Sequence, residues 1–108
     1  MRETDYLNRM THDVRVRVQH FIDKRRVVRF LVQLELEVEP DDWRPIIRYD
    51  TVHDFPHCDR YRLDRTVERH RPLNMDFNDA LTYAIDDVTE NWRKYRAAFL
   101  GEGSNEGL

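Results

Sequence analysis

The sequence predicts an α+β fold, a four-stranded antiparallel β-meander with one C-terminal amphipathic helix packed on one face. Three observations carry that expectation. Val14-Arg15-Val16-Arg17-Val18-Gln19 alternates apolar and polar residues, the period of a half-buried strand. Over residues 28–38, Val28, Phe30, Val32, Leu34, Leu36 and Val38 share one face, with Arg29, Gln33, Glu35 and Glu37 on the other. Phe77, Leu81, Ala84, Ile85, Val88, Trp92, Tyr95 and Phe99 then recur at spacings of three and four, drawing one apolar stripe down a helix.

The first strand opens at Val14 and carries its even-numbered face through His20 and Ile22 to the charged turn Asp23-Lys24-Arg25-Arg26. The second is residues 28–38, closed by Glu39-Pro40-Asp41-Asp42, where proline presets φ. Residues 43–53 are rich in β-branched and aromatic side chains and read as the third strand. Asp54-Phe55-Pro56 breaks it, and residues 57–63 read as the fourth. Residues 64–74 are charged, without a steady period, and read as a connector. Asn74 or Asp76 is placed to cap the helix. Asp79, Asp86 and Asp87 lie early in it and Arg93, Lys94 and Arg96 late, as the helix dipole favours. Gly101 ends it. The first dozen residues fit either a short helix or a frayed arm.

Composition narrows the class. A chain of 108 residues is near the modal domain size, so one domain is expected over residues 1–100, with a disordered tail at 101–108. Cys58 is the only cysteine, which excludes an intramolecular disulfide and fits a reducing cytoplasm. No apolar run approaches the length of a membrane span, and Met1-Arg2-Glu3-Thr4-Asp5 is no secretory leader. No membrane association is expected. Charged residues are 36% of the chain, yet the net charge is only −3, which argues against nucleic-acid binding by bulk charge. A local basic patch survives that balance: Arg60, Arg62, Arg65, Arg69, Arg71 and His70 outweigh Asp64 and Glu68.

Strand parity places a polar cluster. With Glu39-Pro40-Asp41-Asp42 as a four-residue loop, Val38 opposes Trp43, Leu34 opposes Ile47, Val32 opposes Tyr49, Phe30 opposes Thr51 and Val28 opposes His53. With Asp54-Phe55-Pro56 as a three-residue loop, His53 opposes His57, Thr51 opposes Asp59, Tyr49 opposes Tyr61 and Ile47 opposes Leu63. Joining the even faces of the first two strands requires an odd loop or a bulge. Thr51, His53, His57 and Asp59 then stand at one end of the core face, with His20 on the same face. Arg48 and Asp50 fall on the other, near Arg60 and Arg62.

The bland reading of that cluster is a wet hairpin end whose histidines satisfy one another, Asp59 and Thr51. A metal-independent nuclease or phosphodiesterase would use His53 and His57 as base and acid, with Arg48 or Arg60 stabilising charge on phosphate. A zinc or manganese site would draw on His53, His57 and Asp59 with Asp50 or His20, although Pro56 forbids the helix on which His-x-x-x-His usually sits. Cys58 has the wrong parity to join the cluster.

Arg48, Tyr49, Asp50, His53, Pro56, His57, Asp59 and Tyr61 form an Arg-Tyr-Asp-x-x-His-x-x-Pro-His hairpin. It resembles that of a set of small prokaryotic proteins whose C-terminal helix is similar to Ala80-Leu81, Ala84-Ile85, Asp87, Glu90-Asn91-Trp92 and Tyr95-Arg96. More distantly it is similar to TumE-type components of toxin–antitoxin pairs. Asp54 stands where that pattern leads one to expect glycine. The toxin group also spaces its histidines one residue apart, where this chain has His57 and Asp59. The resemblance implies a small accessory protein working with a partner encoded nearby.

The expected function is therefore a toxin–antitoxin-like domain that cleaves RNA without a metal. Its candidate catalytic residues are His53, His57, Arg48 and Asp59, and no cofactor is expected. The alternative is a non-catalytic interaction module. A homodimer is expected through an outer face carrying Val27, Leu31, Ile46 and Val52, or through an edge strand.

Overall fold

The sheet is larger than the four strands that the alternation of apolar and polar residues predicts. The computed structural model describes residues 1–52, 54–70 and 73–102. It contains β1 (Arg2–Thr11), β2 (Val14–Asp23), β3 (Arg26–Glu39), β4 (Asp42–Asp50), β5 (His57–Tyr61), β6 (Val67–Arg69) and α1 (Phe77–Phe99). The strands form one six-stranded antiparallel sheet in chain order. The α+β character and the C-terminal helix stand, but the four-stranded meander is wrong at both ends. The first dozen residues, expected as a short helix or a frayed arm, contain β1, and the expected connector contains β6.

Both additions are edge strands with little burial. β1 pairs with β2 over nearly its whole length, and its side chains are mostly exposed. β6 is three exposed residues held to β5. Hydrogen bonding to a neighbour, rather than an apolar face, makes them strands, so periodicity gives no sign of them.

The even-numbered face of β3 packs against α1 as its periodicity requires. Val14, Val16 and Val18 from β2, Phe30, Val32, Leu34 and Leu36 from β3, and Ile47 and Tyr49 from β4 meet Ala80, Leu81, Ala84 and Val88. Phe30 and Phe77 stack edge to face at 6.4 Å. The helix is capped by Asp76, whose side chain accepts from the Asp79 backbone N–H at 2.8 Å. It ends at Gly101, with φ +75°, a conformation that suits glycine. Arg96 reaches back to Asp13 at 2.8 Å and ties the helix end to the β1–β2 turn.

Two bulges reassign individual side chains. Lys24 and Arg25 form a two-residue turn with both φ positive, and the register slips between Phe21 and Ile22. That bulge is the device needed to join two even faces. It buries Val27 and exposes Val28, the reverse of the expected assignment. In β4 the pairing steps from Leu34–Ile47 to Glu35–Pro45, leaving Ile46 as the extra residue beside a proline that lacks a ladder donor. Ile46 is buried in the core, so two of the four apolar residues expected on the outer face are inside. A further slip near the β3–β4 turn sets Trp43 opposite Glu37 rather than Val38.

The largest correction is at the β4–β5 turn. Arg48 pairs with Asp59, Tyr49 with Cys58, and Asp50 with His57. The expected pairs Thr51–Asp59, Tyr49–Tyr61 and Ile47–Leu63 do not form. The ladder ends at Asp50, because local polar groups take over there. The Asp50 carboxylate accepts from the Val52 N–H at 3.3 Å, the Thr51 carbonyl accepts from the Asp54 N–H at 3.0 Å, and Asp54 has φ +66°. The Thr51 hydroxyl meanwhile accepts from the Phe30 N–H at 3.1 Å. The loop thus runs from Thr51 to Pro56, and every β5 side chain faces the side opposite to that expected.

Candidate functional site

Parity now sorts the chemistry. Along Arg48-Tyr49-Asp50 successive side chains point to opposite faces, so Tyr49 turns to the helix while Arg48 and Asp50 turn to the open face. Since β5 sets Asp59 opposite Arg48 and His57 opposite Asp50, those four side chains share the face that α1 does not cover. Three of the four expected catalytic residues, His57, Asp59 and Arg48, are therefore brought together, but on the outer face and not against the core. His53 lies outside the described residues. His20 faces the helix side, paired with Phe30, and its Nδ1 is buried without a hydrogen-bond partner among the described residues. The sheet separates it from His57.

His57 is held by acceptors. Its Nε2 lies 2.9 Å from Asp50 Oδ1 and 3.8 Å from Asp59 Oδ2, and its Nδ1 lies 3.4 Å from the Phe55 carbonyl oxygen. Carboxylates and carbonyls only accept, so a ring nitrogen hydrogen-bonds these neighbours only when it carries the proton. The Phe55 ring packs at 5.8 Å from the imidazole. Arg48, Asp50, His57, Asp59, Arg69 and His70 line a cleft of about 370 Å³ above this arrangement. Among the described residues no group of three or more His, Cys, Asp or Glu side chains is placed to hold a metal ion.

Arg48 is anchored from behind. Its Nε donates to Gln33 Oε1 at 2.6 Å, and the Gln33 amide nitrogen donates to Glu35 Oε2. Glu35 accepts from Arg15 Nε at 2.6 Å and from Arg17 Nε at 3.3 Å. Glu35 is only 4% exposed on a face without a helix, because the arginine stems lie over it. Burial alone would raise the Glu35 carboxyl, but the Arg15 and Gln33 hydrogen bonds and the Arg15 and Arg17 guanidiniums outweigh it and hold the group below its usual value. Trp43 closes the far end, with the Arg15 guanidinium 4.0 Å from its ring centroid.

On the helix side Tyr49 donates its hydroxyl to Asp87. The same carboxylate accepts from the Tyr95 hydroxyl at 2.7 Å and from Asn91 Nδ2 at 2.9 Å. Burial, followed by the bond to Asp87, pushes both phenols well above the ordinary tyrosine value. Burial also pushes the Cys58 thiol up to about 12, consistent with a buried thiol that takes no nucleophilic part. The sequence reading took Tyr95 as core and Asp87 as a dipole partner. The spacing 87, 91, 95 places all three on one helix face and was the signal for this cluster. Asp50 as the partner of His57, and His70 in the cleft, were also missed.

The family model described as Domain of unknown function (DUF7718) matches residues 1–105. The chain belongs to that family. The DUF7718 match spans the whole sheet and the helix, so the cleft and the Asp87 cluster both lie within the family's domain. No curated protein and no solved structure matches the chain. Among the described residues no helix of this DUF7718 protein is long and apolar enough to cross a membrane.

Proposed function

We propose that this protein is a toxin–antitoxin-like domain that cleaves RNA without a metal ion, with the cleft over β4, β5 and β6 as its site. The observation that carries the reading is the histidine fixed between two carboxylates beside an anchored arginine. In this scheme the 2′-hydroxyl of the substrate attacks the adjacent phosphorus. The phosphorus–O5′ bond breaks, and a 2′,3′-cyclic phosphate remains. His57 delivers a proton to the departing O5′. Asp50 and Asp59 fix the ring and offset its charge. Arg48 faces the phosphate oxygens, and its Nε bond to Gln33 limits the orientations of the guanidinium. His70, which lines the cleft, is the histidine that accepts the 2′-hydroxyl proton in this scheme.

The test is cleavage of mixed-sequence RNA in the presence of a chelator, with products examined for cyclic phosphate ends. His57→Ala and His57→Gln should each lower the rate at least about 100-fold, while melting curves identify any variant that has lost its fold. A single 2′-deoxy substitution at the scissile position should block cleavage. Absence of cleavage by the wild-type protein, or a full rate in folded His57→Gln, would overturn the proposal.

A second reading, as an interaction module, is favoured by β1. This edge strand is ten residues long, is paired on one side only among the described residues, and exposes Tyr6 and Leu7. An unpaired edge of that length is a template for strand addition. In a two-fold antiparallel pairing centred on Leu7, Asp5 of each copy stands opposite Arg9 of the other.

A further inference from the structure

Building on the RNA-cleaving reading of the His57 cleft, we propose that the adjoining cleft binds an unpaired nucleobase of the same strand, stacked on the guanidinium of Arg29. The second cleft, of about 650 Å³, adjoins the first and shares Arg48, Asp50 and Val52 with it. In it the Arg29 guanidinium carbon lies 3.7 Å from the centroid of the Phe21 ring, and the two residues are directly registered across β2 and β3. A ring against one side of a guanidinium fixes its plane and leaves the other side for a flat aromatic ligand. Arg29 is exposed and Phe21 is half-buried, so the stack has a solid base and an open top.

The rest of the lining suits a base. Asp50 and Asp54 both line this cleft. Their carboxylates accept hydrogen bonds from the amino and imino groups of a base. Leu31 adds an apolar wall. The spacing also suits one continuous strand. Arg29 lies two residues along β3 from Leu31, which registers with Asp50 and through it with His57. Strand rise and strand separation therefore put the Arg29 and His57 backbones about 12 Å apart. A single strand of roughly two nucleotides covers that distance, and base stacking of this kind tolerates many sequences.

The probes are an RNA dinucleotide, which fills only the His57 cleft, and a hexanucleotide, which reaches both. Phe21→Ala and Arg29→Ala should raise KM for the hexanucleotide about tenfold, the scale of one stacked base, and leave kcat and dinucleotide cleavage unchanged. Arg29→Lys, which keeps the charge but not the plane, should not restore KM. Equal KM values in wild type and variants would overturn the subsite while leaving the cleavage reading intact. If the wild-type protein cleaves neither probe, the cleavage reading fails and anisotropy of the labelled hexanucleotide decides. Weaker binding by folded Arg29→Ala then keeps the stacking site, and equal binding, or none by wild type, overturns it.

Discussion

Replacing Glu35 by alanine tests whether the open face of the sheet is organised by its buried carboxylate. Glu35 accepts from Arg15 at 2.6 Å, from Arg17 at 3.3 Å and from the Gln33 amide. The arginine side chains are 19% and 31% exposed, so each can regain water when its partner is lost. That places their contribution at the low end of about 1.5–3 kcal/mol for a charged hydrogen bond. Gln33 is buried and would be left with an unsatisfied amide N–H, at about 1 kcal/mol or more. Together these give a loss of about 4 kcal/mol, a large part of the about 5–15 kcal/mol typical of a domain. Glu35→Gln, which keeps an acceptor but no charge, should cost about half as much. Urea unfolding followed by tryptophan fluorescence reads the change, with Trp43 next to Arg15 as a local reporter. A loss below about 1 kcal/mol for Glu35→Ala would refute the reasoning, since it would mean that the network is as solvated as an ordinary surface pair.

The pH dependence follows from the same residue. The Glu35 carboxyl is held below its ordinary value of 4.5 in the folded protein. The unfolded chain therefore binds the proton more readily, and the contribution is present above about pH 4.5 and lost as pH falls through the lower folded value. Glu35→Ala should flatten the acid limb of the stability curve and leave neutral and alkaline behaviour parallel to wild type.

Two further expectations concern the other face and the edge. Asp87→Ala strands the Tyr49 and Tyr95 hydroxyls and the Asn91 amide and should cost about 3 kcal/mol in urea unfolding, against about 1 kcal/mol for Tyr49→Phe; equal losses would show that Asp87 is not the shared acceptor that matters. If β1 pairs with a second copy, light scattering should give twice the 13.2 kDa chain mass and Leu7→Pro should return it to one chain; a monomer at high concentration would shift the edge to a different partner.

Hydrophobic periodicity reports burial, and it was sufficient wherever burial formed the element. β2, β3 and α1 could be read because Val14, Val16, Val18, Val32, Leu34, Leu36, Ala84 and Val88 are all in the core. β1 and β6 were silent because neither buries a face. The β4–β5 register needed a different signal, and the sequence held it. In the expected register Asp59 stood opposite Thr51 against an apolar core. In the observed one Arg48 faces Asp59, a charge-complementary cross-strand pair, and Asp50 faces His57 within hydrogen-bond distance, while Tyr49 and Ile47 remain inside. Asp54-Phe55-Pro56 alone suggests the shortest loop, although Asp50 and Thr51 are residue types whose side chains bond nearby backbone and end a ladder early. Polar pairing across strands, together with the apolar face, favours the register that sets His57 and Asp59 on the open face beside Arg48, with Asp50 as the partner of His57.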